Sequence, residues 1–163
     1  LYGDLMMEID WSVGRIINAL EQNNIIDNTL IIFTSDNGPW LNFGNHAGST
    51  GGLREGKGTS FEGGQRVPTV MMWPDIIPAG KIANQLSSAI DILPTVSHIV
   101  DGNLPKHKID GINIMEILKG EKVNPRKEFY YYYGNNNLEA VRKDNWKLIL
   151  PHTSRSYKGV LQT

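Results

Sequence analysis

The stretch "TLIIFTSDNGPW", residues 29–40, decides how the chain is read. Leu30–Phe33 are apolar without alternation, the pattern of a strand buried on both faces of a parallel sheet. The run stops abruptly on Asp36, Asn37 and Gly38. Upstream, Leu5, Met6, Ile9, Val13, Ile16, Ile17 and Leu20 recur at steps of three and four within residues 4–22. That spacing lays one apolar stripe along a helix, which Asp4 caps and "QNNIIDN" ends. A helix feeding directly into a buried strand is half of a β-α-β unit, so the expected class is α/β, a layered sheet with flanking helices.

Composition bounds the functions open to such a chain. Its 163 residues are 40% hydrophobic and 20% charged, enough apolar matter for a packed core. The formal net charge is −1 and no block of like charge appears, which argues against a nucleic-acid partner, since those proteins carry a concentrated basic stripe. The absence of cysteine excludes disulfides, thiolate zinc sites and cysteine nucleophiles within these residues. No apolar run approaches the roughly 20 residues of a bilayer span, and no signal-peptide pattern is visible. "LYGDLMMEID" starts a helix at once without an initiator Met, as expected of a fragment of something longer.

Downstream of the strand, residues 38–64 hold nine glycines and no periodic pattern. A loop of that length inside a compact domain is either functional or disordered. It returns into "VPTVMMWP" (67–74), a second strand-like run, so a functional loop is expected. "PDIIPAGKIANQ" reads as a surface connection, and "SSAIDILPTVSHIV" as a helix from about Asp91, a favoured N-cap, with Pro94 in its first turn. A short amphipathic piece at 113–119 closes on Gly120. The last third changes character: "EFYYYYG" and "EAVRKDNWKLIL" flank the turn-forming "NNN" and predict a small antiparallel sheet. The expected division is therefore 1–121, part of the α/β core, and 122–163, the start of a small C-terminal antiparallel subdomain.

Ligands of open α/β sheets gather at the carboxyl ends of strands, where Asp36 and Asn37 stand. A carboxylate and an amide carbonyl suit a hard divalent cation such as calcium or magnesium. The same four residues, "SDNG", are equally the chemistry of a tight turn. "GGLREGKG" (51–58) approaches a phosphate-loop motif, but Gly58 occupies the place of the metal-binding Ser or Thr and no helix opens after it, so a nucleotide loop is rejected. What remains is Lys57 on a backbone with little side-chain bulk. It is placed either to meet a tetrahedral oxyanion or to sit solvated in the loop.

"TSDNGPW", then "LREGKGTSFEGGQRVP", "DILPT" and the Asp-Gly of 110–111 together resemble the sulfatase family, notably its arylsulfatase-like members. The resemblance covers nearly the whole chain and implies an alkaline-phosphatase-like α/β core with a small C-terminal antiparallel subdomain. It implies hydrolysis of sulfate esters by a formylglycine nucleophile beside a calcium ion, sometimes magnesium. Carried over by position, Asp36 and Asn37 become metal ligands. Lys57 becomes the catalytic lysine that binds the sulfate. In "KLILPHTSRSY", His152 becomes a histidine that holds the substrate or protonates the departing alkoxide, its other reading being a surface histidine in a turn after Pro151. Glu62 and Arg66 match the family pattern in a structural role, pinning the loop's return. Trp40 and Phe43 read either as pocket walls or as packing, and His46 as a solvated loop residue. The substrate implied is a small-molecule or carbohydrate sulfate ester, in a periplasmic, extracellular or lysosomal setting.

One element of the family pattern is absent. The nucleophile motif is Cys or Ser, any residue, Pro, any residue, Arg, and no proline here has Ser or Cys two positions before it. The formylglycine and the remaining metal ligands are therefore expected in an N-terminal part outside this chain, and the 163 residues alone are expected to be inactive. Two rival readings stand: a phosphate or phosphonate ester hydrolase of the same superfamily, and a non-catalytic calcium-dependent glycan-binding module.

Overall fold

A computed structural model describes residues 1–153. The described residues form two compact units, Leu1–Pro74 joined by those from Pro151 onward, and Asp75–Leu150.

In the first unit, helix α1 (Tyr2–Gln22) begins two residues earlier than its sequence pattern. Leu1 occupies the cap position, and Asp4 lies in the first turn. Acidic groups are favoured there by the helix dipole even without a capping bond. The predicted stripe is present, yet no residue of α1 is buried: among the described residues nothing covers Leu5, Met6, Ile9 or Ile16.

Strand β1 (Ile31–Thr34) follows. It pairs antiparallel with β2 (Thr69–Met72), Ile31 opposite Met72 and Thr34 opposite Thr69. The expected parallel, doubly buried strand is corrected on both counts: β1 is half-buried to exposed, and its described neighbour runs the other way. A non-alternating apolar run reports the character of a strand's faces, not the direction of its neighbour. Direction follows from the loop 35–68, which brings the chain back at the end where it left. The Trp73 indole N–H donates to Asp27 O at 3.0 Å and ties the far end of β2 to the turn before β1.

The second unit is organised around Asp91. A 3-10 turn (Ala89–Asp91) leads into α2 (Ile92–Ile99), so Asp91 stands at the helix start as expected, but its carboxylate does more than cap. It accepts from Ser88 N at 2.8 Å, closing a capping box, from Ile112 N at 2.9 Å, and from the Arg126 guanidinium. Thr95 Oγ1 donates to Asp91 O at 2.6 Å and accepts from Ile114 N at 3.0 Å. A Cβ on Gly111 would lie 2.0 Å from Ile90 O. The two motifs "DILPT" and Asp110-Gly111 thus meet as one polar knot. Helix α3 (Met115–Leu118) follows and ends at Gly120, whose φ of +86° is the left-handed C-terminal stop expected of it.

The antiparallel sheet of the last third consists of β3 (Glu128–Tyr133), β4 (Asn137–Lys143) and β5 (Trp146–Ile149) in that order. The run "EAVRKDNWKLIL" folds back on itself at Asp144, φ +51°, to give two strands. A register shift between Tyr131 and Tyr132 breaks simple alternation along the tyrosines. Tyr131 and Ala140 are buried on one face, where Phe129 meets Tyr131 edge to face at 5.0 Å and the Lys147 ammonium lies 3.7 Å from the Tyr131 ring centroid.

Candidate functional site

The chain leaves β1 through a turn closed by side chain and backbone together. Thr34 and Thr69 pair hydroxyl to hydroxyl at 2.8 Å across the last register position of the hairpin. One residue on, the Ser35 hydroxyl donates to Asn37 O at 2.9 Å. Asp36 and Asn37 occupy the bend this creates, Asp36 exposed and Asn37 half-buried. The tight turn and the pair of oxygen donors, alternatives from sequence alone, are not exclusive, since both residues sit in the bend.

Immediately beyond, the glycine-rich loop is knitted against the strand exit. The Gly38 N–H donates to Gly64 O at 3.0 Å, and Pro39 O accepts from Lys57 N at 2.9 Å. Gly63 N donates to Arg54 O at 2.9 Å. Three chain segments, at 38–39, 54–57 and 63–64, run with backbones in contact, and glycine stands where they cross. A Cβ on Gly38 would lie 1.8 Å from Gly63 O, and one on Gly63 would lie 1.9 Å from Glu55 O. The close approach that sequence reasoning assigned to an anionic ligand is thus spent, at these glycines, on backbone meeting backbone. Between 54 and 65 the segment is knitted further. Thr59 Oγ1 donates to Gly56 O at 3.0 Å, Gln65 Nε2 to Thr59 O at 2.8 Å, and the Arg54 guanidinium lies 4.0 Å from the Phe61 ring centroid.

This knot brings three of the four expected site residues to one place. Lys57, exposed, is bonded through its own backbone to the residue two past Asn37. His152 is half-buried, three residues past β5, and groups with the unit that carries Asp36, Asn37 and Lys57. The backbone bonds that join the other three do not include it. The rest of its motif, "SRSY", lies outside the described residues. Glu62 and Arg66 sit at either end of a single helical turn, with Arg66 N donating to Glu62 O at 2.8 Å, so the loop's return is pinned through its backbone.

Whether these residues fit a divalent ion rests on the donor set. Asp36 and Asn37 offer a carboxylate and an amide oxygen side by side on an anchored turn, which suits two positions of an oxygen shell. No group of three or more His, Asp or Glu that could hold a metal is gathered among the described residues. By its chemistry the pair could fill two positions of such a shell and no more. Sequence reasoning missed two features: the packing role of Gly38, Gly56, Gly63 and Gly64, and the Asp91 knot. Pairs of glycines in a loop were the available signal for the first. For the second, nothing in the sequence links Asp91 to Arg126.

The fold is that of a sulfatase-like hydrolase core. A family profile described as Sulfatase matches residues 1–102, and one described as N-sulphoglucosamine sulphohydrolase, C-terminal, matches residues 56–157. The chain belongs to the sulfatase family. Human steryl-sulfatase is 40% identical over 148 residues, covering 87% of this chain and 25% of that protein. The crystal structure of the PsFucS1 sulfatase from Pseudoalteromonas sp. superposes with a TM-score of 0.84 at 31% identity, covering 96% of this chain and 32% of that one. The structure of BT4656 in complex with its substrate D-glucosamine-2-N,6-O-disulfate matches with a TM-score of 0.64 at 30% identity, covering 88% and 29%. These neighbours carry the expected alkaline-phosphatase-like α/β fold. The chain spans about a quarter of the length of the curated relatives it matches. No helix among the described residues is long and apolar enough to cross a membrane.

Proposed function

We propose that this chain is the part of a sulfuric ester hydrolase that holds a divalent metal ion and the sulfate group of a sulfated carbohydrate. The reading is carried by one observation: the backbone bonds Gly38 N to Gly64 O and Lys57 N to Pro39 O join the Asp36-Asn37 turn to the lysine loop. Family membership supports the reaction class. The sugar complex of BT4656 supports a carbohydrate ester.

In this reading Asp36 and Asn37 would hold two coordination positions of a calcium ion, with magnesium the alternative, and such an ion would supply positive charge that polarises the sulfate ester. Lys57 places its ammonium against the sulfate oxygens and balances the charge they carry while the bridging oxygen departs with the bonding pair. Its backbone is clamped to Pro39, which fixes where the side chain starts from. His152 holds the sugar near the bridging oxygen and delivers a proton there as the alcohol leaves. The nucleophile, a formylglycine in this family, has no motif in these residues and is supplied by another part of the protein.

The test is sulfate release by the full-length protein from a 6-O-sulfated amino sugar, measured by ion chromatography with and without a chelator. Release that stops on chelation and recovers with calcium is the expected result. Hydrolysis of phosphate monoesters in preference to sulfate esters overturns the assignment, and so does metal-dependent sugar binding without hydrolysis.

A further inference from the structure

Beyond the strand exit stands a pair of aromatic rings that neither the metal nor the sulfate accounts for. Trp40 and Phe43 meet edge to face, centroids 4.8 Å apart and planes at 84°. Both remain open to solvent, 41% and 58% exposed.

Their position is fixed by the clamps that fix the site. Trp40 directly follows Pro39, whose carbonyl accepts the Lys57 N–H at 2.9 Å. It opens a 3-10 turn (Leu41–His46) in which Phe43 N donates to Trp40 O at 3.1 Å, so the two rings share one turn. The same turn seats Leu41 against the residue before the lysine, since a Cβ on Gly56 would lie 2.8 Å from Leu41 Cγ. Backbone and side chain both attach the aromatic pair to the Lys57 loop, three residues from Asn37.

We propose that Trp40, braced by Phe43, is a platform on which the pyranose ring of the substrate stacks while its sulfate is held at Lys57. The inference rests on the site reading above and adds to it the determinant of the sugar. An indole face meets the axial C–H bonds of a pyranose without needing a particular hydroxyl pattern, so such a platform selects for a ring beside the sulfate and not for one sugar. A ring packed against a second aromatic loses little freedom on binding.

The experiment compares two ligands on the full-length protein by titration calorimetry: inorganic sulfate, which reaches only the anion site, and a sulfated monosaccharide, which reaches both. Trp40→Ala is expected to weaken the sulfated sugar about tenfold, as loss of one stacked ring implies, and to leave the sulfate affinity within about twofold. Trp40→Phe, which restores a ring, is expected to recover most of the lost affinity and guards against a folding defect. Equal weakening of both ligands by Trp40→Ala overturns the platform, as does no weakening of either. A wild-type protein that binds neither ligand overturns the site reading itself, and the platform with it.

Discussion

Gly38 lies so close to Gly63 that a Cβ on it would sit 1.8 Å from the Gly63 carbonyl oxygen. That contact sets the distance between the turn carrying Asp36 and Asn37 and the loop carrying Lys57. Gly38→Ala in the full-length protein is expected to cost about 3 kcal/mol or more, the upper range for forcing extra atoms into a packed site, because the obstructing atom is backbone and cannot rotate away. Denaturant titration reads that loss, and sulfate hydrolysis is expected to fall with it. Unchanged stability would show that the two segments separate freely.

Asp36→Ala is expected to remove the bound divalent ion. The loss of metal affinity should be at least the roughly 10–100-fold that follows from removing a mere outer partner of a metal ligand. Mass spectrometry of metal content in the purified full-length protein measures it. Full occupancy in Asp36→Ala overturns the ligand assignment.

Lys57→Ala separates charge from coordination. The metal should stay, while kcat/KM for a sulfate ester drops by about 10²–10³, the range for one removed oxyanion stabiliser. A variant that loses metal as well would place Lys57 in the metal shell's support and not on the sulfate.

Asp91 and Arg126 form a buried ion pair on which stability, not chemistry, depends. Breaking it by Arg126→Met is expected to cost about 3–5 kcal/mol through the uncompensated Asp91 carboxylate. Asp91→Ala should cost more, since the amides of Ser88 and Ile112 lose their acceptor as well. Denaturant midpoints of both single variants and of the double variant test this: the double should lose less than the sum of the singles. Strict additivity would deny the coupling.

The 163-residue chain by itself is expected to release no sulfate from a fluorogenic aryl ester, because it holds neither a cysteine nor a Ser-x-Pro motif to supply the nucleophile. Turnover by the purified chain, with contaminating sulfatase excluded by a Lys57→Ala control, would refute that.

What the amino-acid order determined by itself is local or recurrent. Helix periodicity located α1, aromatic and β-branched runs located the antiparallel sheet, and motifs in a recognisable order named the family before any coordinates. That β1 runs out on Asp36 and Asn37 is likewise a pattern within one short stretch. What the tertiary structure alone decided are relations between distant residues: β1 antiparallel to β2, glycine backbones packed where a ligand cradle was expected, Asp91 joined to Arg126, and Trp40 standing beside the lysine loop. The physical reason is range. Periodicity and turn chemistry act over a few residues and leave their mark in sequence. The meeting of Gly38 with Gly64, or of Asp91 with Ile112, is a matter of how loops close, and many sequences with the same local pattern close differently.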